Sequence, residues 1–220
     1  MSQQRLMYLP LGGAGEVGMN CYVYGYGPRD KERLIVVDLG VTFPDMDGSP
    51  GVDLIIPDIA WLEARKDRID GVFITHAHED HVGAVGHTYA RLGAPIYCRA
   101  FTANIARRKL EEHGVAANAV TVMAAWPNQV TLGPFKVGFL PISHSIPESS
   151  GLVIVTPEGR ENTKTNSHGF PLTRMLRQCS EKVNVAHLSN VCLLNGLDGI
   201  LQNPTASSHI LKNSRTSRES

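Results

Sequence analysis

The chain carries no excess charge of either sign, with 21 Lys+Arg against 21 Asp+Glu over 220 residues. A balanced composition gives no general attraction to nucleic acid or to a membrane surface, so any such attraction has to come from a local patch. Cysteine is scarce: Cys21, Cys98, Cys179 and Cys192 form no Cys-x-x-Cys spacing, which argues against a structural zinc knuckle. Scattered thiols in a chain of this size suit a reducing compartment better than a disulfide framework. Long apolar runs are also missing. The segment from Met1 to Arg5 leads into a short apolar stretch that breaks at Pro10, too short for a secretory signal. Nothing approaches the roughly 18 apolar residues of a membrane span. These absences point to a globular, cytoplasmic protein with no membrane contact and length enough for one sizeable core.

Composition divides what is present into two parts. Ser, Thr and Asn number 17 in residues 1–159 but 20 in the 61 residues of 160–220. The tail holds 8 Lys+Arg against 4 Asp+Glu, leaving 13 against 17 in the first part. A boundary near Gly159 follows, with an atypical polar tail beyond it that is expected to be disordered from Asn203 onward. The first part reads as α/β. Strands are expected over Leu6–Leu11, Asn20–Tyr26, Leu34–Leu39, Gly71–Thr75, Pro95–Cys98, Val120–Met123, Gln129–Leu132, Lys136–Leu140 and Leu152–Thr156. Helices are expected over Asp58–Arg68, with Asp58 as N-cap, over Val85–Leu92, and over Thr102–His113, stopped by Gly114.

Gly13-Ala14-Gly15-Glu16-Val17-Gly18 matches G-x-G-x-x-G after a strand, and Asp38 follows 20 residues beyond Gly18. Dinucleotide binding requires a helix to start at those glycines, because the pyrophosphate rests on its free N–H groups. The residues that follow, Asn20 to Tyr26, favour a strand, so the motif is read as a tight turn between two strands.

The densest chemistry is His76-Ala77-His78-Glu79-Asp80-His81, directly after the apolar run Gly71 to Thr75. Histidines two apart in an extended segment or tight loop can turn toward one ion, which they could not do on a helix. Asp80 and His81 are placed to serve a second ion beside the first, and Gly83 permits close backbone approach. His144, in Ser143-His144-Ser145 after a further strand, is the natural third imidazole. Two metal ions ~4 Å apart would polarise a scissile bond and activate water. His87 and His113 fit helix faces or ends and are read as solvated, as are Arg107-Arg108-Lys109; Glu79 is read as solvated or as a support to the ligands.

His-x-His-x-Asp-His after a strand resembles the metallo-β-lactamase superfamily. Four segments narrow the resemblance to ribonuclease J. They are Pro10-Leu11-Gly12-Gly13-Ala14-Gly15-Glu16-Val17-Gly18-Met19-Asn20, Val37-Asp38-Leu39-Gly40, Thr75 to Ala84, and Ser143-His144-Ser145-Ile146-Pro147-Glu148-Ser149. The likeness runs from about Leu6 to Gly159. It implies an αββα sandwich with zinc at the sheet edge, and RNA cleavage both endonucleolytic and 5′ to 3′ from monophosphorylated ends. It implies His76, His78 and His144 on one zinc and Asp80 and His81 on the other, the latter pair also being the candidate catalytic residues. Asp38 would orient the ligand loop. Single-stranded RNA is the implied partner, and homo-oligomerisation stays open. The same core motif serves small-molecule hydrolases, β-lactamases and glyoxalase II-like thioesterases, although the Gly-rich segment and Ser143 to Ser149 weigh against them.

The resemblance ends after Thr156-Pro157-Glu158-Gly159. The family carries His-Thr-Gly-Asp beyond that segment, and its Asp bridges the two metals. Asn166 stands at the expected place here, and a neutral amide bridges poorly. The tail offers Asp198, Glu161, Glu181 and Glu219, none in a Gly-Asp setting, and His168, His187 and His209 show no ligand context. No β-CASP domain is recognisable. The chain therefore reads as the first part of such an enzyme joined to an unrelated tail, with one tight and one weak zinc site and impaired or absent activity.

Overall fold

The computed structural model describes residues 3–45 and 50–157, together with the backbone of Val191–Leu193. Strand β1 (Gln4–Gly12) pairs antiparallel with β2 (Cys21–Pro28), which pairs antiparallel with β3 (Arg33–Val37). From there β4 (Ile69–Ile74), β5 (Ile96–Cys98) and β6 (Val120–Val122) continue the sheet in parallel. Parallel neighbours need crossovers, and the helices supply them. Helix α1 (Ala60–Glu63) precedes β4, α2 (Glu79–Val82) and α3 (Val85–Leu92) lie between β4 and β5, and α4 (Ala100–Glu111) lies between β5 and β6.

Period-two alternation decides which side chains face which layer. Leu34, Val36, Val72 and Ile74 point to a core shared with Leu62, Val82, Val85, Ala103, Ala106 and Leu110, so all four described helices cover one face of the sheet. Ile35, Val37 and Phe73 point the other way. They meet Phe135, Val137, Phe139, Leu152 and Ile154 of a second sheet, ordered β10-β9-β8-β7. That sheet contains β7 (Gln129–Leu132), β8 (Phe135–Pro141), β9 (Ser150–Val155) and β10 (Val191–Leu193). β10 pairs in parallel with β9. The expected α/β sandwich is thus present as helix, sheet and sheet among the described residues.

Several boundaries move. The expected helix over 58–68 shrinks to α1 and a 3-10 turn over Lys66–Arg68. Asp58 still accepts the N–H of Ala60 at 2.9 Å, but Ile59 occupies the cap position. α4 starts two residues earlier than expected and ends at Glu111, because the His113 N–H turns back to the Leu110 carbonyl. No helix begins at the Gly-rich segment; the chain bends from β1 into β2, with positive φ at Gly13, Gly15 and Gly18. A connection between two strands forms as expected, but as an eight-residue loop of bends over residues 13–20 and not as a tight turn. Cys21 and Cys98 are buried free thiols, and no described helix is long and apolar enough to cross a membrane. The boundary near Gly159, Asn166, His168, His187, His209 and the stretch from Asn203 all lie outside the described residues.

Candidate metal centre

Parallel strands end on the same edge of a sheet, and that edge is where loops can converge. Val37 of β3 is in register with Phe73 of β4, so Asp38 and Thr75 leave the sheet side by side. The Thr75 N–H donates to Asp38 Oδ1 at 2.8 Å, and the Asp38 N–H donates to the Phe73 carbonyl at 2.9 Å. Across the sandwich, the Ser150 N–H donates to the Thr75 carbonyl at 3.2 Å. This brings the end of β8, and the Ser143–Ser145 loop beyond it, to the same edge.

Three imidazoles meet there. His76 Nε2 and His78 Nδ1 are 3.1 Å apart, and His144 Nε2 is 3.2 Å from the same His78 atom. Nitrogen ligand atoms of all three lie within 4.8 Å of one another. Ring nitrogens crowded this closely present lone pairs to a shared point, which fits a cation better than it fits a network of neutral hydrogen bonds. His76 is buried, His78 partly exposed and His144 exposed, so the cluster opens to solvent on one side. Burial first, then the positive charges of His81, His144 and His78, push the His76 imidazole down to about 3. It is therefore unprotonated at neutral pH, the form in which imidazole binds metal.

Asp80 and His81 lie beside this cluster. The His76 and His81 rings are 4.0 Å apart between centroids, and His81 Nε2 is 3.3 Å from Asp80 Oδ2. His81 Nδ1 lies 2.7 Å from Asp38 Oδ2. A carboxylate only accepts, so His81 Nδ1 carries the proton and Nε2 is turned toward Asp80. Asp38 also receives the Thr75 hydroxyl, at 2.9 Å to Oδ2. With its hydrogen committed there, Thr75 Oγ1 is an acceptor for His76 Nδ1 at 3.0 Å. One buried carboxylate therefore sets the tautomer of His76 through Thr75 and anchors the Nδ1–H of His81, leaving both Nε2 atoms facing the cluster. Burial alone would lower His81, but the charge and hydrogen bond of Asp38, with Asp80, push it up to about 9. Burial would likewise raise Asp80, but the hydrogen bond and charge of His81 outweigh that and hold its carboxyl at about 2. The two carboxylates favour positive charge between them.

Sequence reasoning missed a further support. Fully buried Asn20 donates from Nδ2 to the Asp80 carbonyl at 2.9 Å and to Asp80 Oδ2 at 3.3 Å, with His81 Nε2 also 3.3 Å away. The Tyr22 hydroxyl donates to Asn20 Oδ1 at 2.8 Å, which fixes the amide's orientation. The signal was available, since Asn20 ends the Gly-rich segment that otherwise serves only as a turn. Glu79 pairs with Lys109 at 2.8 Å, and Arg107 donates to the Val120 carbonyl at 3.1 Å, so only part of the basic face of α4 is a solvated one.

The ligand loop is seated on backbone. Leu39 and Val41 donate to the carbonyls of His81 and Glu79, and Gly40 donates to Asn20. A Cβ on Gly40 would fall 1.7 Å from the Asp80 carbonyl oxygen and 2.1 Å from its carbon. Neither atom can move without dragging Asp80 and His81. Gly40→Ala is expected to cost about 3 kcal/mol or more, at the upper end of overpacking penalties, seen as a lower urea midpoint. A midpoint within error of the parent would show that the loop shifts freely.

The sequence matches the profile of the metallo-beta-lactamase superfamily over residues 14–161. It is 41% identical over 156 residues to ribonuclease J of Sinorhizobium meliloti, covering 71% of this chain and 28% of that protein. It is 39% identical to ribonuclease J of Corynebacterium glutamicum over 68% of this chain and 20% of the relative. It is 31% identical to ribonuclease J2 of Bacillus subtilis over 85% of this chain and 33% of the relative. The chain thus spans about a third or less of the curated relatives it matches. Among solved structures it resembles Rm3 metallo-beta-lactamase, with TM-score 0.42, 12% identity and coverage of 68% of this chain and 58% of that one. A metallo-beta-lactamase from Staphylococcus aureus gives TM-score 0.44 and 14% identity over 70% of this chain and 40% of that one.

Proposed function

Because the chain belongs to the metallo-beta-lactamase superfamily, we propose that it is a zinc-dependent ribonuclease of the ribonuclease J type, acting on single-stranded RNA in the cytoplasm. The observation that carries this is the similarity to ribonucleases J of several bacteria across a segment that contains the three-imidazole cluster. Cleavage within RNA and 5′ to 3′ removal from a monophosphorylated end belong to the same reading.

His76, His78 and His144 would hold one zinc, and Asp80 with His81 the second. Bound zinc would supply Lewis acidity, lowering the pKa of water and offsetting charge on the phosphoryl oxygens. The protein's own part is positional. Asp38 holds the Nδ1–H of His81 and, through Thr75, that of His76, on the side of each ring away from the cluster, so that each Nε2 is the atom turned toward it. Asn20 fixes the Asp80 carboxylate, which stays ionised at working pH. The first site has three imidazoles, whereas the second has one imidazole and one carboxylate, so unequal affinities are expected, with one ion tight and one weak.

The test uses purified protein with added zinc and three substrates: 5′-monophosphorylated single-stranded RNA, a β-lactam and a thioester. Zinc-dependent shortening of the RNA is the expected result, at a rate reduced by the weak second metal site. Turnover of the β-lactam or thioester with the RNA left intact would replace this reading with a small-molecule hydrolase.

A further inference from the structure

A second pair of histidines lies away from the cluster. His87 is on α3, and His113 stands just beyond the end of α4. Read from sequence, each is a solvated residue on its own helix; the fold brings them together. His113 Nε2 and His87 Nδ1 are 3.1 Å apart, with the rings near-perpendicular at 74° and 4.4 Å between centroids. The His76–His78 pair of the metal cluster has the same 3.1 Å nitrogen separation and a comparable 78° between its rings.

The protonation pattern favours ligation. His113 Nδ1 is 3.1 Å from the Lys109 carbonyl oxygen, which only accepts. Nδ1 therefore carries the proton, and the lone pair on Nε2 faces His87, whose Nδ1–H donates to it in the absence of a metal; binding shifts that proton to His87 Nε2 and frees both facing lone pairs. A histidine held by a backbone carbonyl through its other nitrogen is the usual support of a metal ligand. The Lys109 carbonyl is also at the C-terminal end of α4, where the helix dipole favours positive charge. The base is stiff: a Cβ on Gly86 would lie 2.4 Å from the Lys109 carbonyl oxygen and 2.5 Å from His113 Nδ1, so the backbone of α3 is pressed against the end of α4. Desolvation, with the charges of His113 and Lys109, lowers the His87 pKa, the direction that favours a metal ion over a proton. Lys109 itself is engaged by Glu79, which limits its repulsion of an incoming cation.

We propose that His87 Nδ1 and His113 Nε2 form a surface site for a borderline divalent transition-metal ion such as zinc, separate from the three-imidazole cluster and clamping α3 to the end of α4. Two nitrogens 3.1 Å apart subtend about 100° at an ion about 2.05 Å from each, between a square and a tetrahedral angle. Water completes the coordination. The site does not depend on the nuclease reading, because neither residue belongs to that machinery.

Zinc titration by calorimetry near neutral pH tests it, on the full chain and on His87→Ala, His113→Ala and His76→Ala. The parent and His76→Ala are expected to take up one additional equivalent that His87→Ala and His113→Ala both lose, with at least a tenfold drop in affinity for that equivalent. His87→Ala leaves the His113 bond to Lys109 in place, so its loss reports ligation and not helix capping. The imidazole resonances of His87 and His113 should shift together on zinc addition in the parent. An equivalent that survives in both variants, or resonances that do not respond, would overturn the site.

Discussion

Asp38→Ala is expected to remove about 3–5 kcal/mol of folding stability, the cost of breaking a buried ion pair from one side. Asp38 is 2% exposed and accepts from the Thr75 N–H, the Thr75 hydroxyl and His81. Alanine leaves those donors without a partner where water cannot replace it. The backbone adds to the loss, since Asp38 has φ of 63°, a conformation that costs alanine about 1 kcal/mol or more but that Asp and Asn tolerate. Asp38→Asn should therefore cost clearly less, keeping the shape and the φ while losing the charge. The effect also has a pH signature in protein treated with a chelator. His81 is raised to about 9 in the fold, so its stabilising charge is fully present below the ordinary histidine value of about 6.5 and is lost as pH rises toward 9. The gap between parent and Asp38→Ala should narrow over that window. Urea denaturation at several pH values measures it, and a variant within about 1 kcal/mol of the parent at pH near 6 would mean that Asp38 does not hold the site together.

His76→Ala should abolish tight zinc binding while leaving the chelator-treated protein close to the parent in stability. Substitution of a residue that merely supports a metal ligand costs about 10–100-fold in affinity, and loss of one imidazole of three should exceed that. Without metal, His76 contributes a neutral ring whose pKa is held at about 3 by burial first and by the neighbouring imidazoles second, so its removal takes away no charge interaction near neutral pH. The thermal shift separates the two effects. Zinc should raise the melting temperature of the parent through binding to the folded state alone, and should raise that of His76→Ala by much less. Metal analysis after dialysis should find one tightly held zinc per parent chain and none in this variant at the three-imidazole cluster. An unchanged thermal shift in His76→Ala would remove His76 from the ligand set.

Much of the fold was legible because it is written locally. Alternating apolar residues marked most of the strands, and the nine expected over residues 6–156 all have a counterpart within a few residues. Helix ends were harder. Asp58 did not cap its helix because Ile59 took that position. α4 ended early because its last turn tightened onto the Leu110 carbonyl. Such choices turn on single hydrogen bonds that periodicity does not register.

The sequence by itself determined the chemistry at residues 76–81. Three imidazoles and a carboxylate within six residues, on the loop after β4 and the first turn of α2, need no long-range contact to lie near one another. Tertiary structure alone decided what completes and supports them. His144 reaches His78 across 66 positions because the second sheet packs on the first. Asp38 governs His76 and His81 because β3 and β4 are parallel and end on one edge. Asn20 locks Asp80 across 60 positions through the turn that the glycines allow. His87 and His113, 26 positions apart and unremarkable in sequence, form a pair only because Gly86 lets two helices touch. Ligand type is a property of residues, whereas ligand geometry is a property of sheet register and helix packing, which couple residues distant in the chain.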